Sequence, residues 1–454
     1  MVKGISFLFF LCLSLVAFSQ NADSSIIKKI SDEVMLRSSA YENLRYLCKK
    51  VGPRLSGSAN AAKAVLATAD MLRKAGADTV YMQPCMVTHW ERGEKESGFI
   101  EFSGGRYNLK LCALGNSVGS GKKGVRGNVV EVKSMSDLHK LGNAVKGKIV
   151  FFNIPMDPRH IRTFRAYGES GIGRRSGAAQ AAKYGAAGVM VRSLSSNVDA
   201  YPHTGATQYN DSFPKIPAVA ISTIDAEWLS LRLAGNKSLK GFFVTNCRML
   251  PDAPSFNVIG EMRGSTLPQE IITVGGHLDS WDLAEGAQDD GAGCVQSIEV
   301  IRALKAAGIK PKRTIRAVMF MNEENGGAGG DAYLENAKRK NENHLFAIES
   351  DGGGFTPRGF NLDMSSSQKE KIMQWKPLFA NYSATDFSGG GSGADIAPLK
   401  ELKTALAGFS PDSQRYFDLH HAATDTFEAV SKRELDLGAV NMTALIWLVS
   451  EYGL

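Results

Sequence analysis

Gly275-Gly276-His277-Leu278-Asp279 closes an apolar run over 271–274, and the chain continues to Gly286-Ala287-Gln288-Asp289-Asp290-Gly291. Further on, Asn322-Glu323-Glu324-Asn325 follows the run Ala317-Val318-Met319-Phe320-Met321. Short unbroken apolar runs of this kind read as strands buried on both faces, and open α/β sheets gather their chemistry at the carboxyl ends of such strands. Ionised carboxylates directly after an apolar run are expensive unless a counter-charge meets them. The pattern therefore points to a carboxylate-rich dinuclear metal site, with Asp351 and His421 completing the set.

Two divalent ions held close together need a bridging carboxylate to offset their repulsion, and Asp289 is the expected bridge. One ion would take His277 and Asp351, the other Glu324 and His421; nitrogen and oxygen donors in this mixture suit zinc. His277 and Asp289 are 12 residues apart, enough for a loop to return beside the strand end. Glu323 then stays off the metals as the general base. Asp279, two residues beyond His277, is expected to orient the imidazole through its other nitrogen. His420 is the alternative to its neighbour His421, His203 is ambiguous, and Asp282 and Asp290 receive no role beyond loop structure and nearby charge. The glycines of Gly389-Gly390-Gly391-Ser392-Gly393 lack the strand-then-helix setting of a phosphate loop and read as a loop beside the site.

Outward from the site, the segment from 253 onward alternates strands (271–274, 314–321, 345–349, 402–407) with helices (292–307, 328–340, 368–382, 433–451). Such alternation predicts an α/β fold, a mixed and mostly parallel sheet with helices on both faces. Upstream, helical spacing covers 31–51 and 61–76, separated by the turn-rich Gly52-Pro53-Arg54-Leu55-Ser56-Gly57-Ser58. A shift to Gly, Ser and Lys over 115–127 opens a second α/β rhythm that runs to about 245, an insert with its own core.

The chain has 454 residues, more than one core usually serves. Lys3 precedes an apolar stretch over 5–18 that ends in Ala17-Phe18-Ser19; this reads as a cleavable signal peptide over 1–19, too short for a membrane span, and makes the protein secreted or periplasmic with no membrane anchor. The formal charge of +7 is dispersed, which argues against nucleic acid as a partner. With Cys12 in the signal, Cys48, Cys85, Cys112, Cys247 and Cys294 show no paired spacing and read mostly as small buried side chains.

Taken together, these motifs resemble the zinc aminopeptidase-like (M28) metallopeptidases, and the resemblance runs from about Tyr41 to the C-terminus. It includes the 52–58 loop, His89-Trp90-Glu91-Arg92-Gly93-Glu94, Pro202-His203-Thr204-Gly205 and the block 275–282. The resemblance implies a zinc aminopeptidase/phosphorylase-hydrolase-like peptidase domain, discontinuous over 20–113 and 248–454, with a protease-associated domain inserted at 114–247. It implies two zinc ions on His277, Asp289, Glu324, Asp351 and His421, with Glu323 as base. It prefers His421 to His420 because the ligand precedes the Asp of Asp425-Thr426 by four residues. A cis Asp289-Asp290 bond and a homodimer are also implied. Where many of these aminopeptidases carry an Asp-His pair, the chain reads Ser392-Gly393-Ala394-Asp395. The expected activity is that of an exported dizinc exopeptidase on short unblocked peptides, dipeptides foremost. An aminopeptidase on longer peptides, or a non-catalytic peptide-binding protein, would share the scaffold.

Overall fold

The computed structural model describes residues 22–235 and 238–454, so the expected signal peptide at 1–19 lies outside the described residues. Two eight-stranded sheets organise the rest. In the first, the strand Leu267–His277 lies between Arg313–Phe320 and Asn343–Glu349, parallel to both, and Ala405–Pro411 continues the parallel set. Antiparallel pairings complete it, Arg248–Met262 and then Thr79–Glu91 on one side and Pro357–Asp363 on the other, where Asp386–Gly389 pairs in parallel at the edge.

Every residue from Ile271 to His277 is buried, as expected of a strand covered by helices on both faces. Helix Ala292–Ala306 and the closing helix Lys432–Tyr452 pack together over one face, joining Val295, Ile298, Leu445 and Leu448 into the main core. Helix Ala328–Lys340 lies on the other, where Tyr333 and Leu334 meet Val318 and Phe320. The mixed, helix-covered sheet expected from the alternation is thus formed. The strands Pro357–Asp363 and Asp386–Gly389 had no apolar run to announce them, because Arg358, Gly359, Asn361, Asp386 and Ser388 interrupt the pattern.

The helix expected over 31–51 is broken. It is helical over 22–37, pauses at Ser38-Ser39, and resumes as Ala40–Tyr46 and a wider turn over Leu47–Val51. The Ser38 hydroxyl accepts the N–H of Ala40 at 3.0 Å and Ser39 donates to Glu299 at 3.2 Å, so side-chain bonding replaces the helical ladder at the break. The next helix, Ala59–Lys74, starts where Ser58 accepts the N–H of Ala61.

The second sheet has a parallel centre, Val125–Val132, Ile149–Phe152, Gly188–Arg192 and Ala218–Ile221, edged by antiparallel strands. Its edges include Ser97–Phe102, Gly105–Asn108 and Leu111–Ala113, so the sheet draws on chain that precedes residue 114. Two motifs form the seam between the sheets. Arg92 makes a two-pronged pair with Asp282, at 2.6 and 2.8 Å, and donates to the carbonyl of Ala113; Trp90 donates to the carbonyl of Ser117. Trp90 and Trp281 meet edge to face there.

Among the described residues no helix is long and apolar enough to cross a membrane. The five described cysteines are all free and buried. A reducing agent should therefore leave the thermal unfolding temperature of the protein unchanged; a fall of several degrees would mean that a disulfide forms.

Candidate metal centre

The strand Leu267–His277 delivers His277 at its carboxyl end, and two glycines just before it let the following segment fold back. A Cβ on Gly276 would stand 2.4 Å from Asp290 Oδ2 and 2.9 Å from the backbone of Gly293. That close approach brings Asp289 beside His277, whose Nε2 lies 3.2 Å from Asp289 Oδ1 and 3.5 Å from Asp351 Oδ1. On the other side of Asp289, His421 Nε2 lies 3.2 Å from Oδ2 and 3.0 Å from Glu324 Oε2. His277, Asp289, Glu324, Asp351 and His421 are thus brought together as two overlapping sets that share Asp289. His420 is stacked on His421 with ring centres 3.5 Å apart, and its Nε2 is 3.7 Å from Asp289.

The donor set fits a metal. Asp289 Oδ2 is buried without a hydrogen bond, and His277, Asp289 and Glu324 each offer a ligand atom within 4.8 Å of the others. A cavity of about 10 Å³, room for one small species, is bordered by Asp289, Glu324 and His421. Asp290 also approaches His277, but both its oxygens are engaged, accepting the N–H groups of His277 and Gly293 at 3.0 Å. The Asp289-Asp290 peptide bond is cis.

Burial raises the Glu324 carboxyl, Asp289 adds to it, and it stands at about 7. Burial lowers His421, but Glu324 and Asp289 outweigh this and take it up to about 10. Glu323, half-buried, is pushed up to about 8 by burial, with His277 opposing and Asp351 assisting. Asp289 runs the other way: burial raises its carboxyl, but the imidazoles of His277 and His421 hold it well below the usual carboxylate range.

One expected contact is not made. The Asp279 carboxylate does not reach His277; the imidazole Nδ1 lies 3.0 Å from the Asp279 main-chain carbonyl instead. The chain turns after His277, and the Asp279 carboxylate accepts three backbone N–H groups, from Asn322 at 2.7 Å, Glu323 at 3.1 Å and Glu324 at 3.3 Å. It fixes the loop that carries both glutamates. Asn322 opens that loop at φ 75°, a left-handed conformation that a non-glycine residue holds only when its surroundings impose it.

Other supports were not foreseen from the sequence. Arg54, fully buried, donates to the carbonyls of Leu278, Glu285 and Gly286 and so holds the loop between His277 and Asp289. Ser56, in the same 52–58 motif, donates to Asn325 at 2.8 Å and accepts from Asn322 at 2.9 Å. Asp425 accepts the N–H groups of Gln288 at 2.7 Å and Asp289 at 3.2 Å. The motif at 52–58 and the Asp-Thr pair were visible signals; their partners were not.

The inserted segment also reaches the site. Thr204 donates its N–H to the carbonyl of His421, and its own carbonyl lies 3.3 Å from His421 Nδ1, as does Arg174 Nη1. His203 Nδ1 is 2.7 Å from the carbonyl of His420, so the ambiguous histidine braces the ligand loop. Tyr167 packs on His420 with ring centres 5.0 Å apart.

Residues 257–446 match the model of peptidase family M28. Carboxypeptidase Q of Bos taurus is 33% identical over 413 residues, covering 91% of this chain and 84% of the relative. The crystal structure of a peptidase M28 precursor from Shewanella amazonensis superposes with a TM-score of 0.89 at 29% identity, over 95% of this chain and 97% of that one. A zinc aminopeptidase from Bacillus subtilis shares the fold, with a TM-score of 0.63 at 21% identity over 90% of this chain and 94% of its own.

Asp279→Asn would replace a three-fold acceptor with a group that turns an N–H₂ toward backbone N–H donors. Chemical denaturation should show a loss of about 2–4 kcal/mol, with a lower retained metal content after dialysis. Wild-type stability and metal content in this variant would rule out the positioning role.

Proposed function

Because this chain belongs to peptidase family M28 and is a metallopeptidase, we propose that it is a two-zinc exopeptidase acting on short peptides with free ends, dipeptides foremost. The observation that carries the reading is the sharing of Asp289 between two imidazole–carboxylate sets. His277 and Asp351 would hold one ion, Glu324 and His421 the other, with Asp289 bridging. Zinc held there would supply polarisation of the scissile carbonyl and acidification of a water. Glu323, outside both sets, takes the proton from the attacking water and returns it to the leaving nitrogen. Asp279 and Arg54 lie outside both sets; they hold the loops that present Glu323 and Asp289.

A dipeptide has one peptide bond, which is at once the amino-terminal and the carboxyl-terminal one. The name of the carboxypeptidase relative and the aminopeptidase fold therefore meet on that substrate. The insert, a protease-associated-type unit whose sheet starts at Ser97, packs against His420 and His421 through Tyr167, Arg174 and Thr204. Export through the signal at 1–19 and assembly as a homodimer complete the proposal.

Two measurements test it. Glu323→Gln should keep its zinc and fold while turnover falls by on the order of 10²–10⁴-fold; retained turnover would remove Glu323 as the base. Wild-type protein should cleave free dipeptides in a chelator-sensitive way, restored by zinc. Stepwise trimming of longer peptides would make it an aminopeptidase, and no cleavage by zinc-loaded protein would make it a binding protein.

A further inference from the structure

A cavity of about 630 Å³ adjoins the metal centre, bordered by Asp351 and by Arg162 and Phe164 of the insert. Its volume is that of a pocket enclosing a small ligand, not of a groove for an extended chain. Phe164 stacks on Tyr416 with ring centres 5.2 Å apart and meets Phe417 edge to face at 4.9 Å. The tip of its ring lies 4.0 Å from where a Cβ on Gly352 would stand, one residue beyond Asp351.

From Phe164 back to Ile161, the insert is tied to the peptidase domain as a strap. Thr163 Oγ1 donates to the carbonyl of Ser413 at 2.8 Å, and Gln414 donates to the carbonyl of Ile161 at 2.7 Å. Arg162 Nη2 donates to Asp386 at 2.7 Å and to the Ser388 hydroxyl at 2.9 Å. Its guanidinium lies against the edge strand Asp386–Gly389, where a Cβ on Gly389 would stand 2.8 Å from Nη1. The other oxygen of Asp386 accepts the N–H and the hydroxyl of Ser388, at 3.0 and 2.7 Å. The pair is thus a fixed post, with its charges already matched.

An extended peptide lengthens by about 3.3–3.6 Å per residue, so the backbone from Phe164 to Arg162 spans at most about 7 Å. Phe164 abuts the residue after a metal ligand, and two positions away the strap is anchored to the far strand. We propose that the strap 161–164, held by the Arg162–Asp386 pair, sets substrate length: it leaves room for about one residue on that side of the scissile bond and stops a longer chain. This rests on the two-zinc peptidase reading above and adds what confines that site to short substrates.

The side chains of Arg162 and Asp386 are 53% and 48% exposed, so their pairing adds little to global stability and its loss leaves the fold standing. The test offers di-, tri- and tetra-alanine to zinc-loaded protein and identifies the products by mass. Calorimetry follows tri-alanine binding to the Glu323→Gln protein, with and without a change in the strap. The wild type should prefer di-alanine over tri-alanine in kcat/KM by at least about tenfold. Arg162→Ala and Asp386→Ala should each keep zinc and melting temperature, hold di-alanine turnover within about threefold, and raise the tri-to-di ratio at least about tenfold, with tighter tri-alanine binding. The double variant should add nothing to either single change, because both break one link. An unchanged ratio in both single variants overturns the proposal. A wild type that trims tri-alanine as fast as di-alanine overturns this inference and leaves the peptidase reading standing; one that cleaves none of the three overturns that reading with it.

Discussion

Asp289 stands 3.2 Å from two imidazoles that arrive from distant parts of the chain, and the surrounding loops are arranged to keep that one carboxylate in place. Five ionisable side chains in a buried setting repel or neutralise one another unless cations are shared among them. The protein meets this constraint with backbone as much as with side chains. Gly276 and Gly293 allow the Asp289 segment to lie against the strand end, Asp425 receives two of its N–H groups, and Arg54 gathers three carbonyls of the connecting loop.

The same logic governs the glutamate pair. Asp279 accepts three successive N–H groups, which fixes the main chain that carries Glu323 and Glu324. Ser56 ties that loop to the 52–58 segment through Asn322 and Asn325. A metal ligand and a proton acceptor adjacent in sequence can serve separate tasks only if the backbone between them cannot rotate freely.

The insert is part of this arrangement rather than an appendage. Its Thr204 and His203 grip the main chain of His420 and His421, and Arg174 reaches the outer nitrogen of His421. His421 itself sits at φ 64°, a conformation that needs such external support. The Arg92–Asp282 pair and the Trp90–Trp281 contact lock the insert's seam to the loop that follows His277.

The sequence by itself determined the strand ends and the residue types placed on them. Short apolar runs before His277 and before Glu323 read as buried strands, and carboxylates beside them need a counter-charge. It also announced the helices that cover the sheet, because their apolar faces repeat at helical spacing. What it left open were contacts between segments far apart in the chain: Arg54 with the 278–286 loop, Asp425 with Asp289, and Thr204 with His421. Asp279 shows the limit most plainly. Its spacing from His277 suggested the imidazole as partner, but the turn after the strand aims the carboxylate at backbone N–H groups that no residue pattern records. Local periodicity decides which residues reach a strand end; only the packed tertiary structure decides which main-chain groups wait for them there.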